Sequence, residues 1–313
     1  MQEKLMNAVR IHEYGDRSVL QSESVALPTL EGNDVLVRVH AAAVNPVDWL
    51  VRSGAFVLEE HSFPLTPGWD FAGTVVDLGT ARTSLAVGDL VYGRPALTRD
   101  GSYAQYLAVD ADEIAKAPRS IPLEHAAGLP LVTLTAWKAL FDFGHLGAGQ
   151  TVLIQAGAGG VGSAAVQLAK HFGARVVATA SGDGIEIAKS LGADEVIDHK
   201  QEDFATRGRF ADVVLDTVGG DTLERSYGAV VPGGSLITIA GAPDAAKADE
   251  LGITVSTFVL DSNGPRLAEI ARLVDEGTVR PLVTRTLNLD DVAEAHRLSE
   301  TGRTRGKIIL RVQ

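Results

Sequence analysis

The sequence predicts an α/β protein in two parts: a small, partly open β-barrel, then a doubly wound parallel sheet. Three observations carry that prediction. The chain has 313 residues, more than one core usually spans. Its first third is cut by turn residues into short apolar or alternating runs. From Thr151 the rhythm changes to strand, helix, strand.

In the first part, residues 6–15 (MNAVRIHEYG), 34–44 (DVLVRVHAAAV), 71–79 (FAGTVVDLG), 88–93 (GDLVYG) and 102–110 (SYAQYLAVD) read as strands. A helical segment is expected from Pro122, where residues 121–144 carry apolar positions at mixed helical spacing. Residues 151–157 (TVLIQAG) form a buried strand, 160–173 a helix closed by Gly173, and 175–181 (RVVATAS) a second strand. Residues 183–192 then read as a helix closed by Gly192, with strands at 195–199, 211–219 and 235–241. The helix at 266–277 has Leu267, Ile270, Ala271 and Val274 on one apolar face. A second helix, 289–302, opens with Asp290 and Asp291, acids suited to the positive end of its dipole. Residues 306–312 (GKIILRV) close the chain as a strand that spacing alone assigns to neither part.

Composition narrows the function classes. Hydrophobic residues make up 45% of the chain, and the net charge is −12 with an isoelectric point near 5.1. A nucleic-acid backbone or an anionic membrane surface wants a basic face, so both are poor partners. There is no cysteine, hence no disulfide framework, thiolate zinc site or cysteine nucleophile. Residues 1–14 lack a signal-type apolar core, and no run approaches the ~18 apolar residues of a membrane span. A cytoplasmic location is expected by default.

Gly157, Gly159 and Gly162 fit G-x-G-x-x-G between an apolar strand and an amphipathic helix, the context of a dinucleotide-binding turn. Such a backbone turns tightly and meets a pyrophosphate with free N–H groups and the helix dipole. An NAD-selective site wants an acid at the end of the next strand, to bind the ribose 2′-hydroxyl. Thr179, Ala180 and Ser181 stand there instead, so a 2′-phosphate meets no repulsion and NADPH is favoured. Asp183 lies just beyond the strand, and Arg175, Lys189 and Lys200 reach a 2′-phosphate only if folding brings them there.

Over nearly its whole length the chain resembles the zinc-independent quinone oxidoreductase branch of the medium-chain dehydrogenase/reductase superfamily, near the zeta-crystallin and alkenal reductase groups. The resemblance rests on AAAVNPVDWLVRSG (41–54), PGWDFAG (67–73), VGDLVYG (87–93), GSYAQY (101–106), LTAW (134–137), AGAGGVGSAAVQLAK (156–170), LGADEVID (191–198) and GKIIL (306–310). It implies a GroES-like catalytic domain at 1–122, a Rossmann NADP-binding domain at 123–262 and a segment at 263–313 that returns to the first domain. It also implies an active site in the cleft between the domains.

Zinc relatives of the superfamily carry a catalytic Cys, a Gly-His-Glu motif and a further Cys. Here Asn45 stands near the first position, Gly68-Trp69-Asp70 replaces the motif, and Gly128–Thr133 offers no ligand, so no metal is expected. Glu59-Glu60-His61 reads as a solvated loop, and no G-x-S-x-G elbow occurs.

Without a Lewis acid, the natural hydride acceptors are those polarised by their own conjugation, quinones and α,β-unsaturated carbonyls. The resemblance makes Asn45 the polar residue beside nicotinamide and substrate, here taken as the catalytic positioning donor. A tyrosine that some relatives carry a few residues later falls at Leu50. Trp49, Trp69 and Tyr103 are taken as lining the substrate; Tyr103 and Tyr106 are also possible donors, with barrel packing the alternative for both tyrosines and core packing for both tryptophans. For the cofactor, the resemblance implies Asn45 and Thr135 near the nicotinamide and Gly159, Gly160 and Val161 at the pyrophosphate. Thr179 and Ser181 fall at the adenosine phosphate, His199 beside the adenine, and Val218, Ala240, Gly241 and Phe258 toward the nicotinamide.

The expected activity is therefore NADPH-dependent reduction of quinones, enals or enones. An enoyl-thioester reductase and a non-catalytic NADPH-binding regulator are the alternatives. The partners expected are a small conjugated acceptor and a second copy of the chain, through edge pairing near residues 235–241 and 253–259. Neither nucleic acid nor membrane is expected as a partner.

Overall fold

A computed structural model describes residues 5–57 and 62–312. The Glu59-Glu60-His61 loop lies outside them. In chain order, the N-terminal part contains β1 (Leu5–Arg10), β2 (Gln21–Ala26), β3 (Asp34–Val44), α1 (Pro46–Ser53), β4 (Phe71–Asp77), β5 (Leu90–Gly93), β6 (Tyr106–Asp110) and β7 (Ile114–Lys116). Helices α2 (Leu123–Ala126) and α3 (Pro130–Trp137) follow. The single helical segment expected from Pro122 is thus broken: Pro130 has no N–H to continue α2 and instead opens α3.

The middle part contains β8 (Thr151–Ile154), α4 (Gly160–His171), β9 (Arg175–Ala180), α5 (Gly184–Ser190), β10 (Glu195–Asp198), β11 (Ala211–Asp216), α6 (Gly220–Ser226), β12 (Val230–Thr238), α7 (Ala245–Leu251) and β13 (Thr254–Ser256). The chain ends with α8 (Gly264–Asp275), β14 (Val283–Asn288), α9 (Val292–Glu300) and β15 (Lys307–Arg311).

Two compact units result, one of residues 1–134 and 261–313, the other of residues 135–260. The sequence places the first join at 122/123, twelve residues earlier than the structure does. The first turn of α3 belongs with the barrel because the Leu131 amide donates to Asp70 Oδ1 at 2.8 Å. The last strand also belongs there: β15 pairs antiparallel with β3, Ile309 opposite Ala43.

The barrel unit is a seven-stranded sheet ordered β14-β15-β3-β4-β5-β7, with β6 on β3, beside the hairpin β1-β2. Val35, Val37, Val39, Phe71, Val75, Val91, Leu107 and Val109 point inward from four of its strands and form its core. The second unit is a six-stranded, wholly parallel sheet ordered β10-β9-β8-β11-β12-β13. Its central strands β8, β9 and β11 are largely apolar on both faces, as helices covering a parallel sheet require. The order reverses between β8 and β11, and the glycine loop leaves the carboxyl end of β8 at that switch point.

Candidate active site

Around the glycine loop, close approach decides each glycine. A Cβ on Gly162 would stand 2.1 Å from the Ala156 carbonyl oxygen, and one on Gly157 would stand 2.6 Å from the Ala178 Cβ. Ala156 itself adopts φ 52°, in the left-handed region. Two loop amides are spent within the turn, Gly157 N on Thr179 O and Gly159 N on Ala156 O, both at 2.8 Å. Gly159 precedes α4 without a side chain to cap it, so the amides of Gly160, Val161 and Gly162 have no acceptor inside the helix. Three unspent donors at the positive end of a twelve-residue helix fit a pyrophosphate.

The other residues expected at the cofactor are brought together by topology. Ser181 follows β9, His199 follows β10, Val218 lies past β11, Ala240 and Gly241 follow β12, and Phe258 follows β13. All end up at the carboxyl edge of one parallel sheet, the ligand-binding edge of such sheets. His199 N donates to Ala180 O at 3.2 Å, which sets His199 beside Ser181.

Thr179 requires a correction. It is 4% exposed, its hydroxyl donates to Gln155 Oε1 at 2.8 Å, and it accepts from Ala156 N at 3.0 Å. That hydroxyl braces the glycine loop and is not offered to a phosphate. One of the cations is also removed: Arg175 starts β9, at the opposite edge of the sheet, and pairs with Glu195 at 3.1 Å. Lys189 on α5 makes an exposed pair with Glu186 at 2.8 Å.

Asp216, which sequence reasoning passed over, ends β11 fully buried. It accepts from the amides of Val218 and Gly219 at 3.1 Å and from Thr238 Oγ1 at 2.8 Å, fixing the turn that carries Val218.

In the barrel unit, Asn45 caps α1 and is 1% exposed. Its Nδ2 donates to Asp70 Oδ2 at 2.8 Å, and its Oδ1 accepts from Lys307 Nζ. The Lys307 ammonium also donates to Val44 O at 2.9 Å and to Asp70 Oδ2 at 3.3 Å, which uses all three of its hydrogens. Burial raises the Asp70 pKa, and the Lys307 charge pulls against that rise. Lys307 was not singled out from the sequence, although a lysine inside the apolar run GKIIL was the available signal.

A second buried chain meets the first at Asn45, whose amide donates to Asp48 Oδ2 at 2.6 Å. Tyr103 Oη donates to the same oxygen at 2.9 Å, and His296 Nε2 lies 3.2 Å from Tyr103 Oη. Arg52 Nη1 lies 3.3 Å from His296 Nδ1 and 2.8 Å from Glu300 Oε1. Because the guanidinium only donates, His296 accepts at Nδ1 and carries its proton on Nε2, toward Tyr103. Burial pushes the Asp48 carboxyl up to about 7 and pulls His296 down to about 3.

Tyr103 and Trp69 are 0% exposed, which corrects their reading as substrate-lining residues. Trp69 packs with Ile11, Val51 and Leu65, and Tyr103 packs with Val9, Ala42 and Ile308. Burial and the Asp48 charge hold the Tyr103 pKa well above that of a free phenol, so it serves as a fixed donor within the barrel. Trp49 is half-buried and donates from Nε1 to Ser299 Oγ at 3.2 Å. It lines a cavity of about 460 Å³ with Asp16, Arg17, Arg52 and Glu300. Thr135 is 5% exposed on α3. Among the described residues, no group of three or more His, Cys, Asp or Glu side chains is placed to hold a metal.

A parallel sheet whose first βα turn presents unspent amides at the switch point, in a chain that also carries a barrel unit with a buried polar cluster, defines a dinucleotide-dependent enzyme. Residues 31–119 match the alcohol dehydrogenase GroES-like domain and residues 191–310 the zinc-binding dehydrogenase domain. The chain is 38% identical to a 2-methylene-furan-3-one reductase of Solanum lycopersicum, covering 97% of this chain and 79% of that protein. It is 36% identical to a chloroplastic NADPH-dependent alkenal/one oxidoreductase of Arabidopsis thaliana, covering 98% and 80%. The solved quinone oxidoreductase from Coxiella burnetii superposes with a TM-score of 0.92 at 31% identity, covering 99% of this chain and all of that one. The chain belongs to the zinc-independent quinone oxidoreductase branch of the medium-chain dehydrogenase/reductase superfamily and is a nicotinamide-dependent oxidoreductase.

Proposed function

We propose that this protein reduces quinones and α,β-unsaturated carbonyls at the expense of NADPH, without a metal. The observation that carries the reading is the Asn45–Asp70–Lys307 cluster. Asn45 and Asp70 stand where the resemblance sets zinc-site motifs in the relatives, and the Lys307 ammonium is bonded to both of them. An ammonium cannot ligate a cation, and it uses the Asn45 oxygen that a metal would need.

A nicotinamide, when bound, supplies the hydride. The chain's own part is position: the amides of Gly160, Val161 and Gly162 hold the pyrophosphate, and Asn45, whose Nδ2 hydrogens go to Asp70 Oδ2 and Ala43 O rather than outward as a donor, acts by fixing the buried cluster. Reduction of an enone places hydride on the β-carbon and a proton on the α-carbon; solvent supplies that proton in this reading.

NADPH rather than NADH is supported by Ser181 at the end of β9, where an acid would repel a 2′-phosphate, and by His199 beside it. The name of the Arabidopsis relative agrees. A cytoplasmic setting and a homodimer are part of the proposal, and no described helix is long and apolar enough to cross a membrane.

The test is NADPH against NADH oxidation over a panel of quinones, enals, enones and enoyl thioesters, with and without a chelator. Chelator-insensitive turnover favouring NADPH is expected, at least tenfold in kcat/KM. No turnover across the panel, or loss of turnover with chelator, overturns the reading, and turnover of thioesters alone reassigns the acceptor.

A further inference from the structure

Arg94 stands immediately after β5, in the barrel unit, and is 2% exposed. Its guanidinium makes one hydrogen bond, from Nη1 to Ser262 Oγ at 3.2 Å, while Ser262 Oγ donates back to the Arg94 carbonyl at 2.7 Å. Nε is buried with no hydrogen-bond partner in the protein. A buried guanidinium normally sits against a carboxylate, because an uncompensated buried charge is costly.

The nearest register position holds one that cannot serve. Phe71 pairs with Gly93, so the next step of the same antiparallel ladder sets Asp70 opposite Arg94. Both Asp70 oxygens are already committed, Oδ1 to Leu131 N and Oδ2 to Asn45 Nδ2 and Lys307 Nζ. Asp48, Glu113 and Asp261 attract Arg94 only through space, and burial draws its pKa down. Lys307 is bonded directly to Asp70, whereas Arg94, one strand beyond, feels the Asp70 charge only through space and keeps four N–H donors unspent.

We propose that Arg94 is a receptor for a carboxylate carried by the acceptor, so that the physiological substrate is an acidic conjugated carbonyl. A carboxylate offers two coplanar oxygens that match the guanidinium fork. The substrate class rests on the reductase reading; the binding site does not. A pyrophosphate oxygen of the cofactor is the other source of the same chemistry, and the test separates the two.

Binding is measured by calorimetry with 4-oxopentanoate, a saturated acid that is not turned over, against neutral pentan-2-one. The wild-type protein is expected to bind the acid at least tenfold more tightly, and Arg94→Leu to lose that difference. Arg94→Gln, which keeps a polar side chain there and leaves the Ser262 Oγ bond to the residue-94 carbonyl in place, is expected to lose it too and guards against misfolding of the leucine variant. In turnover, the kcat/KM ratio of 4-oxopent-2-enoate to pent-3-en-2-one is expected to fall at least tenfold in both variants. Equal wild-type affinity for acid and ketone overturns the proposal, as does an acid preference that survives in both variants. A tenfold loss of NADPH affinity with the acid preference intact overturns it in favour of the cofactor. If neither unsaturated compound is turned over, the reductase reading fails while the calorimetry still decides Arg94.

Discussion

The sequence marks Asn45 as a candidate position, but not what holds it. Lys307 and Asp70 lie 237 residues apart in the chain, and only the pairing of β15 with β3 brings the ammonium to the carboxamide. Lys307→Met leaves Asp70 as an unpaired buried charge and is expected to cost roughly 3–5 kcal/mol in urea unfolding, with Asp70→Asn added to it recovering part of the loss. An undiminished Lys307→Met protein would mean that the pair does not organise the cluster.

Asp48 and His296 act oppositely on stability. His296 falls from its ordinary 6.5 to about 3 in the fold, so its contribution is present above pH 6.5 and fades as pH drops toward about 3. Asp48 rises from 3.8 to about 7, so its contribution is full below 3.8 and is lost as pH climbs through about 7. Thermal melts of Asp48→Asn between pH 4 and 6.5 are expected to show stability rising with pH. Those of His296→Gln between pH 4 and 7 are expected to show it falling. Parallel slopes in the two variants would contradict the assignment.

At the scale of elements, the parallel sheet was legible because its central strands are largely apolar on both faces and its helices end in glycine, signals local to ten or so residues. Strand β2 (QSESVA) and helix α7 (AAKADEL) were not, since each is largely exposed and carries little apolar periodicity. Thr179 and Trp69 show the limit for sites: the sequence marks their place but not which way a side chain turns, and both turned inward. The glycine loop makes the sharpest prediction of this class. Gly162→Ala drives a methyl into the Ala156 carbonyl, 2.1 Å away, and is expected to weaken NADPH binding at least tenfold by fluorescence titration. Wild-type affinity in that variant would show that the α4 amides do not hold the pyrophosphate.

For the whole molecule, the sheet topology refines the expected self-association. Strand β12, which contains most of residues 235–241, is paired on both sides, by β11 and β13, and cannot be an open edge. Strand β13 ends the sheet, so a homodimer formed by edge pairing runs through Thr254–Ser256. Light scattering is expected to give twice the 32.9 kDa chain mass, and Val255→Pro to give a monomer. A monomeric wild type removes the claim.

The central claim is that a metal-free barrel unit, with an ammonium among its would-be ligands, leaves activation of the acceptor to the acceptor's own conjugation. Its most direct test compares kcat/KM for NADPH oxidation by pent-3-en-2-one and by pentan-2-one, which share a carbon skeleton. The account predicts at least a hundredfold preference for the conjugated compound, with the carbon–carbon double bond reduced and the carbonyl retained in the product. Comparable turnover of the saturated ketone to its alcohol would contradict it.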